Sequence, residues 1–302
     1  MALAEVCVLM STYNGERYIQ EQIESILHQE NVTVHILVRD DGSNDGTLDI
    51  LKKYEELDKL ELVKGQNIGW RLSFMELLYN SSEYNYYAFC DQDDIWLPNK
   101  LNVAIQYLSS MPANDPNLYC SNLNYYKDGE QFGLVVKSAP QLSLEFALMR
   151  SLAAGCTMVF NSVLRDSIKC NKPRLVIAHD YWVYQVATLL GNVYYDMNSY
   201  ILYRQHSNNQ IGVRIKKKEI WKKRLMNAKN NFFCADRKNA ARELLRLYSD
   251  ALDDEKIKAL LRVAYFDNNI KNRLCLFFDR TYTMESFVSD FWLRLRILFG
   301  EI

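Results

Sequence analysis

The chain has 302 residues, 49% of them hydrophobic and 24% charged, with a net charge of −1. That balance fits a soluble globular protein of one large domain, or one domain with an appendage, long enough to bury a sizeable core. No apolar run approaches the ~20 residues of a membrane span.

The opening stretch, MALAEVCVLMSTYNG, lacks the basic start of a secretory signal and soon turns polar. Seven cysteines occur without CxxC spacing. They read as free thiols in a reducing cytoplasm, not as a disulfide framework or zinc site. Charge is unevenly spread. Residues 1–213 hold 16 Lys/Arg against 25 Asp/Glu, and residues 214–302 hold 20 against 12. The break near Val213 marks an expected module boundary. A basic C-terminal module suits an anionic surface, with helix–helix salt bridging as the alternative.

In chain order, EVCVLMST is a buried strand by its apolar, β-branched run. A helix follows, with Tyr18, Ile19, Ile23, Ile26 and Leu27 on one face. VTVHILVRDDGSNDG is a second strand ending in a polar, Gly-rich loop. TLDILKKYEEL is a helix with Leu48, Leu51 and Leu57 directed inward. LELVKGQNIGW is a third strand and turn, WRLSFMELLYNSS a helix, and YNYYAFCDQDD a fourth strand. Four strand–helix alternations predict a mostly parallel sheet with helices on both faces. Ligands bind such sheets at the carboxyl ends of the strands. The polar clusters STYNG, RDDGSNDG, QNIGW and DQDD all fall there.

Beyond Asp94 the alternation weakens. LPNKLNVAIQYLSSM is a helix started near Pro98, and NLYCSNLNYY is a strand. SLEFALMRSLAAGCTMVFNSVLRDSI reads as a helix, a small-residue turn and another strand. AHDYWVYQVATLLG is a helix entered through His179 and Asp180. VYYDMNSYILYRQHSNNQIG is strand-rich, and the chain is helical from Arg214 on.

The DQDD run concentrates charge. Alternation in an extended segment puts Asp91 and Asp93 on one side, and carboxylate oxygens suit Mg²⁺ or Mn²⁺. The competing role is a helix cap by Asp93 or Asp94. In RDDGSNDGT, Asp40 and Asp41 either accept hydrogen bonds from a base or ribose or form an Asx turn. Thr12, Tyr13 and Asn14 line a base pocket or simply end a strand. On their own residues, Asp180 reads first as a helix cap and His206 as a surface residue.

Taken together, VLMSTYNGERYIQEQIESIL, VRDDGSNDGT, NIGW and CDQDDIWLPNKL, in that order and spacing, resemble the family 2 inverting glycosyltransferases of GT-A fold. The resemblance is closest to the bacterial rhamnosyltransferase-like branch of capsule, O-antigen and wall-polysaccharide synthesis. It continues through GCTMVFN, AHDYW and YRQHSNNQIG, over roughly residues 5–212.

The resemblance implies an α/β GT-A fold: a Rossmann-like, mostly parallel sheet flanked by helices, with a C-terminal helical extension. The catalytic domain would span 1–213, with a nucleotide-binding half over about 1–97 and an acceptor half over about 98–213. A basic helical module would span 214–302. Thr12, Tyr13, Asn14 and Glu16 match the segment along the nucleoside, Asp40 and Asp41 the pair near base and ribose, and Asn67 lies in the QNIGW element. Asp91, Gln92 and Asp93 match the D-x-D element that holds Mn²⁺ or Mg²⁺, and Asp180 matches the general base. His206 matches a position near diphosphate and metal, and Arg204 one that offsets phosphate charge.

The implied reaction moves one sugar from dTDP-rhamnose or a UDP-hexose to a saccharide acceptor, lipid-linked in this branch. Two departures stand out. The Q-x-x-R-W element and membrane spans of processive members are missing, which implies single transfers. Arg71 follows NIGW where small or aromatic residues are common.

In SFVSDFWLRLRILF, Phe287, Val288, Phe291, Trp292, Leu295, Leu298 and Phe299 share one helical stripe, with Asp290 and Arg294 opposite. Such a helix suits a bilayer interface, and places the enzyme in the cytoplasm at the inner face of the membrane. Packing on the catalytic domain or on a second subunit, as a homo-oligomer, is the alternative. The aromatics of the basic tail sit at helical-core spacing, which argues against nucleic acid. A catalytically inactive GT-A-like module is one other function. A sugar-phosphate nucleotidyltransferase is another, though its Gly-rich N-terminal signature is absent.

Overall fold

The apolar run near the N-terminus forms β1 (Ala4–Thr12), buried from Val6 onward. A central parallel strand is covered on both faces, so its sequence is continuously apolar rather than alternating. This computed structural model describes residues 3–152, 154–206 and 236–302. β2 (Val32–Asp40), β3 (Glu61–Lys64) and β4 (Tyr86–Cys90) run parallel to β1 in the order β3-β2-β1-β4. The crossovers carry α1 (Ile19–Leu27), α2 (Thr47–Glu56) and α3 (Trp70–Asn80). Thr12 pairs with Asp40, and Met10 with Cys90. These strands therefore finish level, and the loops after them open on one rim.

The rest of the sheet is mixed. β5 (Ile95–Trp96), β6 (Asn117–Lys127), β8 (Val159–Asn161) and β9 (Asn192–Arg204) continue it in the order β4-β8-β6-β9-β5, and β7 (Glu130–Leu134) forms a hairpin on β6. Among the described residues, only the β6–β9 pair in this half is parallel. α4 (Lys100–Ser109), α6 (Ser162–Cys170) and α7 (His179–Leu190) complete this region.

Three local expectations change. Ile95 and Trp96 pair with β9, so the helix after DQDD begins at Lys100 and Asp94 caps nothing. Val163 to Ile168 belong to α6, not to a strand. Asn161 caps that helix by accepting from Leu164 N at 3.1 Å. Leu57 lies just past the end of α2 and is exposed.

The chain divides into two compact units. The first is Met1–Ala139, Leu152–Lys172 and Ala178–Arg204, which holds the sheet. The second is Pro140–Ser151, Pro173–Ile177 and Gln205–Ile302. It draws in two segments that the sequence places in the acceptor half. The expected boundary at Val213 lies outside the described residues.

The second unit contains α5 (Leu144–Met149), α8 (Asp236–Tyr248), α9 (Asp254–Ala264), α10 (Ile270–Phe278) and α11 (Phe287–Phe299). Asp253 and Asn269 cap α9 and α10. Gly300, at φ +79°, ends α11 in the left-handed conformation that glycine adopts freely.

α11 buries Leu293, Arg294 and Ile297. The Arg294 guanidinium donates to the carbonyls of Leu276 (2.9 Å) and Tyr282 (2.6 Å). Asp290 accepts from Thr283 Oγ1 and Met284 N. The helix therefore turns charged groups inward, while Phe287, Phe291 and Phe299 are 90%, 53% and 74% exposed.

Candidate active site

At the rim, the loops after β1 and β2 are laced together. Asn14, at φ +50°, donates its N–H to Ser43 Oγ (2.9 Å), and its Oδ1 accepts from Asn44 N (2.8 Å). Glu16 N donates to Asp45 Oδ2 (3.2 Å), and Glu16 Oε2 accepts from Gly46 N (3.0 Å). Gln92 clamps the β1 loop from the other side. Its Oε1 accepts from Tyr13 N (2.9 Å), and its Nε2 donates to Tyr13 O (3.1 Å). The middle residue of DQD thus joins the expected metal loop to the expected nucleoside segment.

Asp40 and Asp41 are buried and work within the loops. Asp40 accepts from Thr12 Oγ1, from the Gly42 and Ser43 N–H groups and from Ser43 Oγ. Those four bonds fill its acceptor positions. Asp41 accepts from the Ile68 N–H (2.9 Å), the Gly69 N–H (2.8 Å) and Arg39. Buried Arg39 also donates to Gln66 O (3.1 Å). The pair fixes the loop in which Asn67 is exposed. The Asx-turn alternative thus describes Asp40 well, and the Arg39 anchor had no signal in the sequence.

The DQDD run sits at the end of β4. Among the described residues, Asp91, Asp94 and Cys156 bring ligand-type atoms within 4.8 Å of one another. Burial, then the charges of Asp93 and Asp180, push the half-buried Asp91 carboxyl up to about 7. Asp94 is fully buried and also raised, by burial first and then by Asp93 and Asp91. Its Oδ1 accepts from Arg204 N (3.1 Å), while Oδ2 has no hydrogen-bond partner among the described residues. Burial drives the Cys156 thiol far above its ordinary range, so it remains a protonated thiol against these carboxyls.

Arg204 pins the same loop. Its Nε donates to Asp93 O (2.9 Å), its Nη2 to Glu21 Oε2 (2.5 Å), and its guanidinium lies 4.8 Å over the Tyr18 ring. The structure thus shows Arg204 holding the acidic loop through backbone and side chain. His206 lies two residues on, half-buried, in the second compact unit. The remainder of YRQHSNNQIG, from Ser207, falls outside the described residues.

Asp180 stands in the first turn of α7, where Ala178 is the N-cap. Its Oδ1 accepts from Tyr181 N (2.7 Å). Burial raises its carboxyl to about 6, against the lowering pull of hydrogen bonds from Tyr181 and Gly155 and of the Arg71 charge. A carboxylate poised near neutrality and half-buried at the carboxyl rim of the sheet is suited to proton abstraction.

His179 is buried and pushed down to about 3 by burial, so its ring is neutral. The ring stacks on Phe74 at 4.0 Å. A Cβ on Gly155 would lie 2.4 Å from His179 Nε2, so the Gly-Cys of GCT is glycine because the histidine ring fills that space. The pairing of Gly155 with His179, and the placement of Cys156 against Asp94, were not readable from separate segments.

The chain is similar to several known glycosyltransferases. The chain is 30% identical over 275 residues to a dTDP-rhamnosyl transferase of Shigella flexneri, RfbG, covering 86% of this chain and 91% of that protein. It is 27% identical to the UDP-Glc:α-D-GlcNAc-diphosphoundecaprenol β-1,3-glucosyltransferase WfgD of Escherichia coli, over 51% of this chain and 58% of that one. In fold it resembles the TarS 1–349 structure from S. aureus in complex with UDP-GlcNAc (TM-score 0.57, 16% identity, 97% of this chain and 81% of that one). It also resembles the mannosyltransferase PcManGT of Pyrobaculum calidifontis with GDP-Man and Mn²⁺ (TM-score 0.50, 16% identity, 99% and 81%). These neighbours carry the GT-A fold expected from the sequence. Residues 7–171 match Glycosyl transferase family 2, and the chain belongs to that family.

Proposed function

We propose that the protein transfers a single sugar, with inversion, from a nucleotide-diphosphate donor to a saccharide acceptor in bacterial surface-polysaccharide synthesis. dTDP-rhamnose, with the UDP-hexoses behind it, is the donor class suggested by the relatives' names. The observation that carries this reading is the convergence of the DQDD carboxylates with Asp180 on one rim, where burial raises the affinity of Asp91, Asp94 and Asp180 for protons.

The residues present fit a divalent cation. Asp91 and Asp93 offer hard oxygen ligands on the half-buried side of the cluster. Asp94 and the protonated Cys156, both buried, lie within 4.8 Å of Asp91, and the bond from Arg204 N engages Asp94 in holding the loop. The raised Asp91 carboxyl marks negative charge in search of a counter-ion. When bound, Mn²⁺ or Mg²⁺ supplies charge stabilisation to the departing diphosphate.

The chain's own residues do the rest. The Thr12–Glu16 and Asp40–Gly46 loops and Asn67 cradle the nucleoside, with Asp40 and Asp41 holding the cradle's shape. Gln92 keeps that cradle in register with the acidic loop, and Arg204 fixes the loop and adds positive charge beside it. Asp180 accepts the proton of the acceptor hydroxyl as that oxygen bonds to the anomeric carbon and the bond to the β-phosphate breaks. Such base catalysis contributes about 10²–10⁴-fold. Asp180→Asn is expected to bind nucleotide as the wild type does and to lose transfer by at least that factor in a nucleotide-release assay. Transfer at the wild-type rate would remove Asp180 from this role.

We place the acceptor on a lipid carrier at the cytoplasmic face of the membrane, with α11 as the contact. No helix among the described residues is long and apolar enough to span a bilayer. Phe287, Phe291 and Phe299 point outward, and exposed Lys271 and Arg280 lie on α10 and just beyond it. Exposed aromatics with basic neighbours suit an anionic bilayer surface. Self-association through the same stripe is the competing use.

A further inference from the structure

Trp70 opens α3 at the carboxyl rim and is 38% exposed. Large aromatics are costly to leave in water and are common in ligand pockets. The segment before it is held firmly. Asp41 accepts the N–H groups of Ile68 and Gly69, and Gly69 takes φ +83°. Trp70 therefore stands at a fixed place rather than on a loose loop.

Its neighbour on the protein side is the residue before the proposed base. The Trp70 ring meets the His179 ring edge-on, at 5.6 Å and 84°. His179 stacks on Phe74 and meets Phe89 at 4.7 Å and 80°. Neither nitrogen of His179 has a hydrogen-bond partner among the described residues. Burying an imidazole that way is unfavourable in itself. What it provides is an aromatic wall running from the core to Trp70, beside Asp180. Arg71, whose guanidinium lies 5.3 Å from the Trp70 ring centre, also acts on the Asp180 charge.

We infer that Trp70 is a stacking platform for a pyranose ring held beside Asp180. A pyranose has an apolar C–H face that suits an indole, and hydroxyl edges that suit the surrounding carboxylates and guanidinium. The inference rests on the assignment of Asp180 as the base. The ring could belong to the donor's sugar or to the acceptor's, and the two sources are separable.

Wild type, Trp70→Ala and Trp70→Phe would be compared by calorimetry in Mn²⁺, with UDP, dTDP, UDP-glucose, UDP-galactose and dTDP-rhamnose. Saturation-transfer NMR with methyl glycosides at saturating UDP or dTDP forms the second arm. Trp70→Ala is expected to keep its affinity for the nucleoside diphosphates. If the ring is the donor's, it loses roughly tenfold of the added affinity of the sugar nucleotide. If the ring is the acceptor's, it loses the glycoside signals. Trp70→Phe keeps most of either. Wild-type behaviour of Trp70→Ala in both arms would overturn the inference. A wild-type protein that binds no nucleotide would instead sink the glycosyltransferase mechanism itself.

Discussion

Asp180 shows how one residue's environment sets a function and its pH range. In water an aspartate is ionised well below neutrality. Here burial lifts the carboxyl to about 6, so it is a competent base only above that pH. Transfer should fall about tenfold per unit as pH drops below about 6, and level off above it. The stability effect has the opposite sign. Between about pH 4 and 6 the native state keeps a proton that the unfolded chain has released, so this group's contribution to stability grows as pH falls. A pH–rate profile whose acidic limb lies near pH 4 would show that Asp180 is not the titrating base. The aspartate itself was legible in AHDYW. Its raised affinity for protons was not, because the burial comes from segments remote in sequence, and the hydrogen bond from Gly155 arrives from GCT. Arg204 likewise was visible as a cation near the acidic loop, whereas its bonds to Asp93 O and Glu21 needed the fold.

Element by element, α11 is the case where periodicity alone was insufficient. The stripe Phe287–Phe291–Phe299 and the opposing Asp290 and Arg294 were visible in the sequence. Which side faced the protein was not, since an aromatic stripe normally points inward. The inversion follows from the Arg294 bonds to two carbonyls and from Asp290 closing the Thr283–Met284 turn. The exposed stripe should bind membranes. Full-length protein should co-sediment with vesicles containing phosphatidylglycerol, and replacing Phe287, Phe291 and Phe299 together by Ser should release most of it without lowering Tm. Equal pelleting of both proteins would exclude this helix as the contact. A loss of dimer in place of a loss of pelleting would assign the stripe to self-association. DQDDIWLPNKL offers the converse case. A cap by Asp93 or Asp94 would start a helix at its acidic run, but two residues of pairing between β5 and β9 separate the aspartates from α4.

For the whole molecule, the parallel half of the sheet was readable because its strands and helices alternate with clear apolar periods. Level strand ends then brought four distant polar clusters to one rim. The second half resisted because its strands are short or antiparallel, and α6 follows β8 without a break in the apolar pattern. The interleaving of the two compact units was also hidden, since segments 140–151 and 173–177 carry no compositional mark. As proposed, the rim binds a nucleoside diphosphate together with a divalent cation. The most direct test is the Tm of the full-length protein with UDP and with dTDP, each with and without Mn²⁺, for the wild type and Asp93→Asn. Ligand at a hundred times its Kd stabilises by about 2.7 kcal/mol. The wild type should show a Tm rise that requires nucleotide and Mn²⁺ together and is lost in Asp93→Asn. No rise with either nucleotide, or an equal rise in both proteins, would contradict it.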